Sequence, residues 1–385
     1  MNRRRILFAA SLGALATALG AQPAESPDEV LLPATVTPLF PIAEKGHNDS
    51  SPTWAPTGKL LAFERAEESR REIVIVRPDG SVAKTVYYQP NPDDTGLAAL
   101  LPGLGKSVSY NSGIAWSPQA DRFVFMSNAG EGNYDLYLGS FTASAVQRLT
   151  RDPAKDGQPD WSPRGDKIAF VSGRAGGAKL FLLDVATHAA TLLSKGDRPY
   201  LYPRWSPDGQ RLAAIAGDNE HHEIVVFEEV VTAKNGIVAK ERTLTTWPHD
   251  DLGPSWSPDG KRIAFYTNYN QENDPKVWAL VVVDARGASP TEGDGLAAQI
   301  VARNVIPDVT NGPAWMPDSR RIAYIRNDTR DYSPIYVVDV DTRKSARIAT
   351  GTSINNDLSI SADGVLAFRA QVEQWDRIFL VKLAD

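Results

Sequence analysis

Gly253-Pro254-Ser255-Trp256-Ser257-Pro258-Asp259-Gly260-Lys261-Arg262-Ile263-Ala264-Phe265 reads as two strands joined by a turn. Pro258 pre-sets φ for the second turn position, Asp259 suits the third, and Gly260 takes a positive φ without steric cost. Ile263-Ala264-Phe265 then begins the returning strand of a hairpin. The phrase recurs at Trp54-Ala55-Pro56-Thr57-Gly58, Trp116-Ser117-Pro118, Trp161-Ser162-Pro163-Arg164-Gly165, Trp205-Ser206-Pro207-Asp208-Gly209 and Trp315-Met316-Pro317-Asp318. A worn copy stands at Ile360-Ser361-Ala362-Asp363-Gly364. Successive copies start 62, 45, 44, 51, 59 and 45 residues apart, at or above the length of a four-stranded propeller blade.

After each hairpin comes a second β-rich run, such as Ile73-Val74-Ile75-Val76, and in six of the seven a fourth strand, such as Val146-Gln147-Arg148-Leu149. Four strands per unit and seven units predict an all-β chain folded as a seven-bladed β-propeller of antiparallel blades. Six blades are the alternative if Ile360 begins something else. Ala34-Thr35-Val36-Thr37-Pro38-Leu39-Phe40 reads as a strand with no blade of its own, and the seventh repeat lacks a fourth strand. The spare strand is expected to complete that blade, closing the ring and removing a sheet edge.

At 385 residues and 42% hydrophobic content, blades of one kind imply a single domain over 34–385. Residues 1–21 read as a signal peptide: Arg3, Arg4 and Arg5, an apolar stretch from Ile6 to Leu19, then Gly20 and Ala21. Residues 22–33 read as a linker. The apolar stretch is too short to span a bilayer, so no integral membrane segment is expected after its removal. Export to the periplasm follows by the general route or, given Asn2-Arg3-Arg4-Arg5-Ile6-Leu7, by the twin-arginine route. With no cysteine, disulfides, thiolate ligands, a thiol nucleophile and a lipoprotein anchor are excluded. The net charge of −6 becomes −9 without the three arginines (−6 minus 3), which excludes general nucleic-acid binding and favours a basic or neutral partner. A monomer is expected.

Within each blade the Trp strand should be innermost, with the Ser-Pro-Asp-Gly turn on one face. Connections between blades and second-to-third strand loops should share the opposite face. Long segments at 89–110, 128–133, 267–276 and 285–297 are read onto that opposite face. Asp49, Asn111, Asp156, Tyr200, His249, Asp250, Asp251, Asn311, Asn355 and Asp357, just ahead of the repeat phrase, are expected to ring the channel mouth and bind a partner. Trp54, Trp116, Trp161, Trp205, Trp256 and Trp315 are read as packing between blades, because the repeat dictates their positions.

Motifs for catalysis are missing: there is no Gly-x-Ser-x-Gly elbow, phosphate-binding loop or His-Glu-x-x-His helix. His221 and His222 are adjacent and would point to opposite faces of a strand. His222 could meet His249-Asp250-Asp251 as a site for calcium or another divalent metal; otherwise no cofactor is expected.

The Trp-Ser-Pro-Asp-Gly…Ile-Ala-Phe phrase resembles the WD40-like (PD40) repeat of TolB-type periplasmic propellers, over residues 34–385. The resemblance implies a non-catalytic interaction protein of the cell envelope, related to the Tol-Pal system, that contacts a peptidoglycan-associated lipoprotein. TolB-type proteins carry an α/β domain before a six-bladed propeller. The short stretch between residues 21 and 34 leaves no room for that domain, so its contacts are expected to be lost. The alternative is a propeller enzyme of lyase or lactonase type with a metal at the channel mouth.

Overall fold

The Trp strands lead their blades in the observed sheets too. A computed structural model describes residues 30–383 apart from 42–45, 68–69, 87–109, 130–132, 142–145, 218–220, 234–235, 247–248, 269–276 and 287–297. The signal-like segment, most of the linker and the insertion at 89–109 lie outside the described residues. Seven antiparallel blades of four strands surround a central channel. Their innermost strands are Asn48–Trp54, Asn111–Trp116, Asp156–Trp161, Tyr200–Trp205, Asp251–Trp256, Ala314–Trp315 and Asn355–Ile360, which we number as blades 1 to 7.

Ring closure occurs as the sequence predicts. Ala34–Pro38 pairs antiparallel with Trp375–Leu383 as the outer strand of blade 7, with Ala34 opposite Leu383 and Pro38 opposite Phe379. Ala34 and Val36 turn toward the core while Thr35 and Thr37 face out, the period-2 pattern of a half-buried strand. Leu31–Leu32, placed in the linker by sequence, instead adds parallel to Ser345–Ile348 of blade 6. One short segment therefore fastens two blades.

The core lies between blades. Ala213, Ile215, Ile224 and Val226 of blade 4 pack against Trp256, Ile263, Phe265 and Val281 of blade 5, all buried. Second strands such as Leu61-Ala62-Phe63 are apolar on consecutive residues because both of their faces meet a neighbouring blade. All seven turns close with the same bond, from Gly209 N to Ser206 O (2.8 Å) in blade 4 and from Ala120 N to Ser117 O (2.9 Å) in blade 2.

A second regularity is not visible in the repeat phrase. Three residues ahead of each motif Trp, or of Ile360, the backbone turns left-handed: Ser51, Gly113, Gln158, Tyr202, Gly253, Gly312 and Asp357 have φ of 53, 65, 52, 48, 63, 72 and 52°. In every blade but the sixth the ladder shifts register here, as between Ser50 and Thr53. This is a β-bulge, one extra residue on the inner strand. Each non-glycine copy costs about 1 kcal/mol or more, so the bulge must be held by neighbours.

One placement is corrected. The connection from Asp284 to Gln299 joins a third strand to a fourth, which in an antiparallel blade lies at the turn end. Ala285 N accordingly donates to Lys261 O (2.8 Å), beside the blade 5 turn; residues 287–297 lie outside the described residues. On the same turn face, His222–Ala233 and Gly236–Thr243 of blade 4 form a hairpin that runs beyond its blade.

Candidate functional site

Inner strands of all seven blades line a channel of about 710 Å³. Its charged side chains are Glu64, Arg71, Asp160 and Arg204, with Ser51, Gln158, Tyr202 and Asn311 among the polar ones. The bulges turn backbone N–H groups toward the preceding blade, where side chains receive them. Ser51 N donates to Asp357 Oδ2 (3.1 Å), Gly113 N to Glu64 Oε1 (3.0 Å) and Tyr202 N to Gln158 Oε1 (2.8 Å). Three residues on, Trp54 N donates to Ser359 Oγ (3.1 Å) and Trp205 N to Asp160 Oδ2 (2.6 Å). The indole N–H groups of Trp116, Trp256 and Trp315 donate to the carbonyls of Thr53, Arg204 and Ser255. The motif Trp is thus a hook between blades as well as a packing group.

Of the ten residues expected at the mouth, six are buried between blades: Asp49, Asn111, Asp156, Tyr200, Asp251 and Asn355 are at most 1% exposed. Asp49 accepts two bonds from Arg65 (2.8 and 3.0 Å), and Asp156 one from Arg174 (2.5 Å). Asn111 Nδ2 donates to Arg71 O and Asn355 Nδ2 to Ser333 O, each in the preceding blade. Tyr200 donates to Glu241 (2.9 Å). The physical reason is parity. The extra bulge residue moves the position five before the motif Trp onto the same face of the strand as the Trp, where it is packed between blades, as Tyr200 is beside Trp205.

The other four keep some exposure. Asn311 lines the channel, and Asp357 sits at the blade 7 bulge, paired with Arg369 (2.9 Å). His249 and Asp250 lie in the connection between blades 4 and 5, with Asp250 Oδ1 2.8 Å from His222 Nδ1. His222 and Asp250 do meet, whereas Asp251 turns inward. Among the described residues no group of three or more His, Cys, Asp or Glu side chains is arranged to hold a metal. Glu64, Arg71, Asp160 and Arg204 carry no mark in the repeat phrase. The signal that could have found them is glycine at the bulge position in three copies, Gly113, Gly253 and Gly312.

Burial raises the pKa of Glu64 despite the Gly113 amide and the Arg71 guanidinium 3.3 Å away. Burial also raises Asp308, against the opposing bonds from Asn311 and Thr310. Asp160 is pushed from 3.8 up to about 6 by burial, which outweighs Arg204 and the Trp205 amide. The folded protein thus holds the Asp160 proton above the pH at which the unfolded chain releases it. Stability from this group is full below about pH 4 and is lost as the pH rises to about 6. Asp160→Asn, whose amide oxygen can still accept from Trp205 N, is expected to match the parent at pH 4. At pH 7 it should be more stable by up to about 3 kcal/mol. Urea unfolding at the two pH values checks this; a constant difference would contradict it.

Comparison with known proteins gives one family model, the TolB beta propeller domain (PD40), which matches residues 104–302, just over half of the chain. The Tol-Pal system protein TolB of Francisella tularensis subsp. mediasiatica (strain FSC147) is 25% identical over 248 residues, covering 63% of this chain and 51% of that protein. The chain therefore spans about half the length of the curated relatives it matches. Among solved structures, a putative TolB from Agrobacterium tumefaciens aligns with a TM-score of 0.50 at 17% identity, covering 73% of this chain and 89% of that one. An oligogalacturonate lyase from Vibrio parahaemolyticus aligns with a TM-score of 0.60 at 12% identity, covering 96% and 98%. At these identities both share the fold.

Proposed function

We propose, from the premise that the chain belongs to the TolB beta propeller domain family, that it is a periplasmic, non-catalytic binding protein of the cell envelope. It would act as a monomer whose channel mouth receives a protein partner. The observation that carries this reading is that the channel-lining carboxylates are already engaged. Glu64 and Asp160 hold backbone amides of the next blade, and Asp357 beside them does the same. A carboxylate that must keep such a bond is poorly placed to shuttle protons, whereas a rigid rim suits recognition. A peptidoglycan-associated lipoprotein is the partner to try first, because the curated relatives are named as Tol-Pal proteins. We propose export by a cleaved signal over residues 1–21, followed by a linker and one propeller domain; mass spectrometry of the mature amino terminus checks the cleavage.

The binding test is calorimetry with the soluble domain of such a lipoprotein, alongside crosslinking from envelope extract. Asn311→Lys with Asp250→Lys should weaken binding at least about tenfold, while Lys261→Glu on the turn face should leave it unchanged. Equal effects from both, or no complex at all, would reject the reading. The metal-dependent lyase or lactonase alternative is favoured by one contact, His222 with Asp250. Elemental analysis of protein purified without chelator decides it: a stoichiometric divalent metal lost on Asp250→Ala would support that alternative.

A further inference from the structure

The turn of blade 3 carries a cation at the position where four other blades carry an aspartate and blades 1 and 2 carry Thr57 and Gln119. At the third position after the motif Trp, or after Ile360, blades 4 to 7 carry Asp208, Asp259, Asp318 and Asp363, each folded back onto its own turn. Asp208 accepts from Ser206 Oγ (2.5 Å) and Gln210 N (2.9 Å), Asp259 from Ser257 Oγ (2.6 Å), Asp318 from Arg320 N (2.9 Å) and Asp363 from Ser361 Oγ (2.7 Å). Blade 3 has Arg164 there, reversing the charge and giving up the cap.

Arg164 lines a cleft of about 240 Å³ on the turn face, between blades 3 and 4, with Asp166, Leu182, Trp205, Val230 and Val231 in the same lining. Its stem lies over Gly209, where an added Cβ would come within 3.0 Å of Arg164 Cγ. The overhanging hairpin of blade 4 supplies the apolar wall. Glu229 is left-handed (φ 52°) and the ladder shifts register between Glu228 and Val231, so the arm bends and Val230 N bonds Gln210 O (2.9 Å). Val230 is thereby buried while Val231 remains 51% exposed.

Lys167 is paired with Asp184 (2.5 Å), whereas the exposed Arg164 and Asp166 side chains make no hydrogen bond or ion pair among the described residues, Arg164 acting only at longer range on Asp208. In the same lining the indole N–H of Trp205, a residue 8% exposed, has no acceptor among the described residues. A cation and an anion that make no hydrogen bond among the described residues, beside an apolar wall, complement a small zwitterion with an apolar side chain. At about 240 Å³ the cleft has room for a molecule the size of leucine.

We propose that this cleft binds a free α-amino acid with a compact apolar side chain. Arg164 takes the carboxylate, Asp166 the ammonium group, and Leu182, Val230 and Val231 the side chain. The site lies on the face opposite the channel mouth and does not depend on the partner-binding reading. The test follows the Trp205 indole ¹⁵N–¹H resonance, assigned with Trp205→Phe, as leucine is added to the full chain. A saturable shift with a millimolar dissociation constant is expected. 4-Methylpentanoate, lacking the ammonium group, and 3-methylbutylamine, lacking the carboxylate, should each bind about tenfold more weakly. Arg164→Asp restores the residue of four other blades and should keep the melting temperature while abolishing the shift; Asp166→Asn should weaken binding about tenfold. No saturable shift with leucine, or an undiminished one in Arg164→Asp, overturns the proposal. Undiminished binding of 4-methylpentanoate or by Asp166→Asn overturns the zwitterion assignment.

Discussion

Replacing Trp256 by alanine is expected to lower the free energy of unfolding by about 3–5 kcal/mol, read from the urea midpoint. The ring is 8% exposed and packs against blade 4 side chains that include Ile215 and Val226. Its indole N–H donates to Arg204 O (3.0 Å), and the Arg211 guanidinium lies 4.6 Å from the ring centre. Arg211 also donates to Gly260 O (2.8 Å), so blade 4 grips both the Trp and the turn that follows it. Trp256→Phe keeps most of the apolar contact and should cost roughly 1–2 kcal/mol, the lost hydrogen bond and some contact area. If alanine and phenylalanine variants unfold together, the ring is not what joins these blades.

Removing residues up to Phe40 should cost on the order of 5 kcal/mol or more and drive self-association. The deletion strips the outer strand from blade 7 and the Leu31–Leu32 strand from blade 6. It also removes Leu39, whose N–H bonds Ile378 O (2.9 Å), and Phe40, which stacks edge-on against Phe63 and carries Arg65 on its face. What remains at Trp375–Leu383 is a nine-residue edge bearing Phe379 and Val381. Sedimentation should show oligomers, and a synthetic peptide of residues 30–40 should restore the monomer. A truncated chain that stays monomeric with an unchanged midpoint would show that the ring does not need this closure.

The blades were legible because the turn chemistry of Pro258, Asp259 and Gly260 is local and repeats at a fixed offset from Trp256. Even the worn copy at Ile360 forms a blade, since Asp363 and Gly364 preserve its turn. The site was less legible. Asp49, Asn111 and Asp156 look like exposed loop residues until the bulge at Ser51, Gly113 and Gln158 is known, and a left-handed serine or glutamine has no sequence signature. Asp160 and Arg204 fall at an ordinary strand position, and only the closed ring brings them to the lumen.

The hydrogen bonds that inner-strand amides and motif indoles send to a neighbouring blade run one way around the axis, although turn contacts such as Arg211 to Gly260 and Asp259 to Ser319 run the other way. Ser51, Gly113, Tyr202, Trp54, Trp205, Trp116, Trp256 and Trp315 all donate a hydrogen bond to the blade before them, and blade 1 donates to blade 7. The assembly therefore has a polarity, like a filament bent into a circle. Each blade after the first finds the acceptors of its inner-strand amides and indole already built in the predecessor, so these bonds can form in chain order and need the seam only once. Moving the seam should matter little: a permuted chain opened between blades 3 and 4, with its old ends joined, would carry the same donors to the same acceptors.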